Sequence, residues 1–312
     1  MTDTTTNFRT SFGILGLGKM GGNMARRLTS KGISIALFDQ DAALTASLSS
    51  EIKAVATTSL ADMVSKLSKP RVLWMMLPAG DITESTLAQL QALLDKGDTI
   101  VDGANSNYKD SVRRALTTEG LGFNYLDAGV SGGVHGLANG YCLMVGGNNV
   151  ALAAVQPYLE ALAPAAETGW LHAGPAGAGH FTKMIHNGIE YGMMAALAEG
   201  LSLIKGKKEF DIDLAAVTEL WRHGSVVRSW LLDLTADTLK ADQNLSAIKA
   251  HVPDSGEGRW TVNESIEQGV PTPVMTMALM SRFASQGADD YASKLLAKMR
   301  QGFGGHAITK AS

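Results

Sequence analysis

The stretch Phe12-Gly13-Ile14-Leu15-Gly16-Leu17-Gly18-Lys19-Met20-Gly21-Gly22-Asn23-Met24 decides the fold. An apolar strand, Phe12–Leu15, runs directly into G-x-G-x-x-G, and a helical stretch, Lys19–Lys31, follows at once. Glycine-rich turns are common, so the pattern takes its meaning from this strand–turn–helix context. Gly16 permits the tight turn, Gly18 lets a pyrophosphate approach the backbone, and Gly21 allows helix and strand to pack closely. The unpaired N–H groups of the helix start then face the anion. A tight turn without a ligand is the competing reading.

Outward from this loop, short apolar runs alternate with amphipathic stretches, the pattern of a parallel sheet wrapped by helices. The expected strands are Phe12–Leu15, Ser34–Phe38, Val72–Leu77, Thr99–Asp102, Asn124–Asp127 and Cys142–Val145; the expected helices include Lys19–Lys31, Leu60–Leu67, Ile82–Leu94 and Ser106–Glu119. Small residues from Ala173 to Gly179 mark a joint. Beyond it the chain reads as helical over His180–Lys205, Leu214–His223, Val226–Leu239, Leu245–Ala250, Thr261–Glu267, Thr276–Ala284 and Asp289–Gln301. The expected architecture is an α/β Rossmann-type N-terminal domain, residues 1–178, followed by an all-α C-terminal domain, residues 179–312, with a terminal tail.

Composition narrows the function classes. The 312 residues suffice for about two domains, and 45% hydrophobic against 18% charged residues excludes a disordered chain. A net charge of −3 argues against broad attraction to nucleic acid or anionic membranes. One cysteine, Cys142, excludes an intramolecular disulfide framework and suits a reducing cytoplasm. No apolar run approaches the ~20 residues of a membrane span, and Met1 to Ser11 lacks the layout of a signal peptide. The seven histidines show no metal-ligand spacing, so no metal is expected.

Asp39 ends the second expected strand, 18 residues after Gly21. A carboxylate there accepts hydrogen bonds from a free ribose hydroxyl and repels a 2′-phosphate, and Gln40 and Asp41 supply no cation. NAD is therefore expected over NADP, unless Asp39 is only a helix N-cap. Gly16, Leu17, Gly18, Lys19, Met20, Gly21, Asp39, Leu77 and Asn105 form the expected coenzyme set.

The second domain opens with His180-Phe181-Thr182-Lys183-Met184-Ile185-His186-Asn187-Gly188-Ile189-Glu190-Tyr191. At 100° per residue, Lys183, His186, Asn187, Glu190, Tyr191 and Met194 share one face. Lys183 and Glu190 fall 20° short of two full turns apart, ~10 Å along the axis. Phe181, Ile185, Ile189 and Leu203 make the back apolar, so the polar stripe is expected to face a cleft. A solvated charged face is the alternative. Asp102-Gly103-Ala104-Asn105-Ser106 and Asp127-Ala128-Gly129-Val130-Ser131-Gly132-Gly133 follow strands at the edge where open sheets bind ligands, or are turn chemistry alone. Arg259, Arg282, and Arg300 with His306 in the tail could together hold a phosphate.

These motifs resemble the 6-phosphogluconate dehydrogenases, decarboxylating, of the β-hydroxyacid dehydrogenase superfamily, and the match from Phe12 to His306 looks like their short NAD-linked form. The glycine loop, Ser131-Gly132-Gly133 and Lys183 are shared across the superfamily; His186-Asn187-Gly188-Ile189-Glu190-Tyr191 is much more specific to this branch. Relatives acting on simpler hydroxy acids typically carry a second asparagine at the position of His186 and lack the Glu-Tyr pair. NADP-using members typically have Asn-Arg-Thr in place of Asp39-Gln40-Asp41.

The resemblance implies oxidative decarboxylation of 6-phosphogluconate to ribulose 5-phosphate and CO2 in the pentose phosphate pathway and gluconate utilization. It implies Lys183 as base, Glu190 as acid, and Asn105, Ser131, Gly132, Gly133, His186 and Asn187 on substrate. Tyr191, Arg259, Thr261, Arg282, Arg300 and His306 complete the implied substrate set; Arg259 replaces the lysine of Gly-Lys-Trp-Thr. Arg300 and His306 match a pair that, in the family's long form, enters the neighbouring subunit's site, which implies a homodimer or homotetramer. The helical domain is much shorter than the long form's, so that dimer geometry does not transfer directly. A dehydrogenase of another β-hydroxy acid and a non-catalytic NAD-binding regulator are the competing functions.

Overall fold

The computed structural model describes residues 10–287, 290–304 and 307. Two compact units divide within one long helix, between Met184 and Ile185. Among the described residues the first unit holds one eight-stranded sheet: β1 (Thr10–Leu15), β2 (Ala36–Phe38), β3 (Val55–Ala56), β4 (Leu67–Met75), β5 (Thr99–Asp102), β6 (Asn124–Ser131), β7 (Cys142–Gly147) and β8 (Trp170–Gly174). Helices α1 (Lys19–Ser30), α2 (Ala42–Ile52), α3 (Leu60–Lys66), α4 (Asp81–Leu93), α5 (Tyr108–Gly120), α6 (Gly136–Asn139) and α7 (Asn149–Leu162) connect the strands.

The order β3-β2-β1-β4-β5-β6-β7-β8 reverses direction at β1, where the chain crosses back to lay β4 on its other side. That reversal opens a crevice beyond the carboxyl ends of β1 and β4. Both faces of the sheet are covered. Phe12, Ile14, Val72 and Trp74 pack into one core and Leu15, Leu73, Met75 and Ile100 into the other, which is why these strands read as continuous apolar runs.

The Rossmann-type α/β domain is as expected, with three differences. The sheet is not wholly parallel: β7 pairs antiparallel with β6, in register Ser131↔Cys142, and β8 runs parallel to β7. The strand expected to end at Asp127 continues to Ser131, because Ala128 to Val130 are buried and paired on β7. The short β3 and the half-exposed β8 carry too little apolar pattern to be found from sequence.

The second unit is helical, with no strand among the described residues. α8 (Ala178–Gly206) begins in the first unit and continues into the second, followed by α9 (Leu214–Trp221), α10 (Trp230–Ala241), α11 (Glu257–Gln268), α12 (Pro273–Ser285) and α13 (Asp290–Gly304). The helix expected over Leu245–Ala250 is a set of turns. Leu245 takes a left-handed φ of 51°, and six residues are too few to recover the cost of helix nucleation. Arg300 lies within α13 rather than in a tail, since the helix continues to Gly304. His306 lies outside the described residues. Among the described residues two small cores hold this unit, Tyr191 with Ala278 and Leu279, and Leu201 with Leu214 and Leu239. Of the apolar back expected on α8, Leu203 is 77% exposed and Ile189 51%, while Phe181 and Ile185 are half-buried.

Candidate active site

In the first unit the glycine loop lines a cleft of about 910 Å³ at the crevice between β1 and β4. Gly16 sits at φ 87°, and a side chain there would collide with the carbonyl of Met76. A Cβ on Gly21 would collide with the carbonyl of Gly16, so close helix–strand packing requires the glycine. Gly18 differs: a Cβ there would meet nothing within 4 Å, so its backbone faces open space. Gly18 also caps α1 without a side-chain hydrogen bond, and the first turn holds no acidic residue. By contrast Asp41, Ser59, Asn107 and Asn148 cap their helices with side chains. The first turn of α1 thus carries no side-chain cap and no acidic residue of its own, which fits a bound pyrophosphate.

Asp39 lines the same cleft beside Gln40. Its carboxylate accepts from the N–H of Leu17 at 2.7 Å and from that of Asp41 at 2.9 Å, bracing the glycine loop. It is not the helix N-cap; Asp41 is. Lys19, Met20, Leu77 and Asn105 line the cleft as well, while Leu17 turns its side chain into the core. The residues present fit a dinucleotide.

Asn105 occupies the left-handed region at φ 49°, a conformation asparagine tolerates better than most residues. Its amide exchanges two hydrogen bonds with Val130 of β6, taking the N–H at 3.1 Å and giving to the carbonyl at 3.4 Å. The neighbouring Asp102 is fully buried and turned inward, on Arg114 at 2.7 Å, Tyr125 at 3.0 Å and the N–H of Ala104 at 3.1 Å. Burial and Asp102 together push the Tyr125 phenol well above its ordinary value. This ionic core holds the loop from which Asn105 projects.

Asp127 is another inward carboxylate. It accepts from the N–H groups of Gly177 at 2.6 Å and His180 at 2.7 Å, and so caps the start of α8 from the sheet. Glycines 129, 146 and 179 let this helix approach the β6–β7 backbone; a Cβ on Gly129 would collide with that of Lys183. Lys183 is consequently buried, 5% exposed. Ser131 ends β6, and Gly132 (φ 123°) and Gly133 (φ 52°) turn the chain away. Sequence reading missed Asp127 as a cap because its partners lie 50 and 53 residues ahead.

Within the second unit, α8 carries His186, Asn187, Glu190 and Tyr191. His186 Nδ1 lies 2.9 Å from Asn187 Oδ1 and 3.9 Å from Glu190 Oε2. The Asn187 amide nitrogen donates to Glu257, the first residue of α11, which sequence reading gave no role. Tyr191 is buried beside Ser255, and the Arg282 guanidinium lies 3.5 Å from the centre of its ring. Arg282 also donates to the Pro253 carbonyl at 2.9 Å.

Arg259 stacks over Phe283 and grips Asp254 with two bonds, 2.9 and 3.0 Å. That pair holds the Asp254 carboxyl below the usual carboxylate range. Thr261 is buried, bonded to the Glu257 carbonyl at 2.9 Å and pressed against Gly188. Arg259, Arg282 and Tyr191 are thus brought together, whereas Arg300 stands exposed on α13. Among the described residues no group of three or more His, Cys, Asp or Glu is placed to hold a metal ion, and no helix is long and apolar enough to cross a membrane.

Comparison with known proteins follows this division. Residues 11–171 match the family model for the NAD binding domain of 6-phosphogluconate dehydrogenase, and residues 179–309 match that for the 6-phosphogluconate dehydrogenase C-terminal domain. A Bacillus subtilis protein provisionally named 6-phosphogluconate dehydrogenase is 43% identical over 298 residues, covering 96% of this chain and 99% of its own length. A Haloferax volcanii protein named 6-phosphogluconate dehydrogenase, NAD(+)-dependent, decarboxylating, is 38% identical over 299 residues, 96% and 98% of the two chains. The solved structure of Plasmodium falciparum 6-phosphogluconate dehydrogenase matches with a TM-score of 0.82 at 29% identity, over 96% of this chain but 66% of that one.

Proposed function

The chain belongs to the 6-phosphogluconate dehydrogenase family, and from that premise we propose that it oxidises and decarboxylates 6-phosphogluconate to ribulose 5-phosphate and CO2, with NAD as coenzyme, in the pentose phosphate pathway of the cytoplasm. One observation carries the reading: α8 runs unbroken from Ala178 to Gly206 and carries Lys183, His186, Asn187 and Glu190 at helical spacing. The proposed functional division of the chain falls between residues 178 and 179.

Bound on the glycine loop, NAD supplies the acceptor for the hydrogen and electron pair leaving C3 of the substrate. Neutral Lys183 takes the C3 hydroxyl proton as that carbon is oxidised. The resulting ammonium then donates to the C3 oxygen and stabilises the negative charge that develops there as CO2 leaves from C1. Glu190, in its acid form, protonates C1. Asn105, His186, Asn187 and the Ser131–Gly133 turn orient hydroxyls and carboxylate; Arg282, Arg259 and Tyr191 take the phosphate, with Asp254 released from Arg259.

NAD is favoured by Asp39, whose carboxylate lines the cleft with no cation at Gln40 or Asp41. Self-association into a homodimer or homotetramer is supported by the exposed apolar side chains of the second unit, among them Leu203, Val274 and Met277. Arg300 and His306 are then donated to a neighbouring subunit's phosphate site.

The test is one assay: 6-phosphogluconate with NAD or NADP, following reduced coenzyme and CO2 together. Equal yields of both products, with NAD the better coenzyme, are expected. Reduced coenzyme without CO2, or faster turnover of phosphate-free β-hydroxy acids, overturns the substrate reading.

A further inference from the structure

Glu257 sits at the first position of α11, after Gly256 at φ 94°, and is only 6% exposed. Close packing brings it to α8: Gly188 leaves room for Thr261, and Gly258 leaves room for the ring of Tyr191. A carboxylate so deeply buried needs hydrogen-bond donors, and Glu257 has the amide nitrogen of Asn187 as one. Its carboxyl oxygen accepts this bond, so the Asn187 amide turns its NH2 toward Glu257. The amide oxygen is thereby turned to His186, whose Nδ1 lies 2.9 Å away. That oxygen also only accepts, so Nδ1 must carry a proton, and in the neutral imidazole the lone pair is on Nε2.

We infer that Glu257 is a positioning residue, whose buried carboxylate fixes the Asn187 amide and, through it, the Nδ1–H tautomer of His186. The consequence for substrate recognition rests on the function proposed above: neutral His186 meets a sugar hydroxyl as an acceptor, through Nε2, while Asn187 is held from flipping. Polarity runs one way along the relay, from Glu257 through Asn187 to His186. Glutamine at 257 would remove that direction, because its amide can donate as well as accept and so allows either orientation of Asn187.

The test has two arms. Nitrogen-15 NMR of His186 in the intact protein should report the Nδ1–H tautomer at a pH where the ring is neutral. Glu257→Gln should populate the Nε2–H tautomer, and Glu257→Asp, which keeps an acceptor-only carboxylate, should restore much of the wild-type signal. A wild-type Nε2–H tautomer, or a His186 signal unchanged in folded Glu257→Gln, overturns the relay.

The kinetic arm uses 6-phosphogluconate. Glu257→Gln and Asn187→Ala should each lower kcat/KM about tenfold or more, and the double variant should be scarcely worse than Asn187→Ala alone. Losses that multiply in the double variant overturn the coupling. If wild type does not turn over 6-phosphogluconate, the proposed function fails while the tautomer measurement still decides the relay.

Discussion

The coenzyme cleft and the arginine cluster are built by opposite means. Around Gly16, Gly18 and Gly21 the chain removes side chains, and Gly18 opens α1 with no side-chain cap and nothing within 4 Å of where a Cβ would stand. Around Tyr191 the site consists of side chains that already hold one another: Arg259 on Asp254, Arg282 on the Pro253 carbonyl and the Tyr191 ring. A ligand entering the first displaces chiefly water. An anion entering the second must compete with a carboxylate. Backbone-built recognition is therefore preorganised, and side-chain-built recognition carries an exchange of partners within its affinity.

The largest effect should come from Lys183→Ala. If chemistry and coenzyme binding are as separate as the two constructions suggest, turnover falls by roughly 10²–10⁴-fold while NAD affinity, read by calorimetry, barely moves. Near wild-type turnover would require another base.

Two alanine substitutions in the glycine loop sharpen the backbone side of the contrast. Gly21→Ala should lower stability by roughly 1–3 kcal/mol, visible as a drop in Tm, because its Cβ strikes the Gly16 carbonyl. Gly18→Ala should leave Tm nearly unchanged and weaken NAD instead, because only ligand would meet the new methyl. The reverse pattern would break the distinction.

Coenzyme choice is a smaller test of the same region. Replacing Asp39-Gln40-Asp41 by Asn-Arg-Thr should raise kcat/KM for NADP and lower it for NAD. The fold should survive, since asparagine can still accept from Leu17 and threonine can still cap α2. A native preference for NADP would sink the role given to Asp39.

On the other side, Arg282→Ala should raise KM for 6-phosphogluconate roughly tenfold, as loss of a charge-assisted contact would. Asp254→Asn should lower KM by a few-fold, because Arg259 is released. The same variant tests a pH effect. Arg259 depresses the folded pKa of Asp254, so the pair's contribution to stability is present above the ordinary carboxylate value and is lost as pH falls through the lower folded value. Stability of Asp254→Asn should decline less steeply over that acid range; an unchanged acid slope would mean the pair is energetically idle.

The sequence by itself determined the Rossmann-type opening, the helix that carries Lys183 and Glu190, and the family. Each is written locally: a glycine spacing, an apolar run, a helical stripe. Such signals survive without partners because backbone conformation and side-chain periodicity are set within a few residues. The tertiary structure alone decided that β6 runs on to Ser131 against an antiparallel β7, that Asp127 caps a helix 50 residues ahead, and that Arg259 is held by Asp254. It also decided that Glu257 reaches Asn187, 70 residues away in sequence. Which donor meets which acceptor depends on how packed elements bring them together, and a buried polar group takes whichever partner that packing supplies.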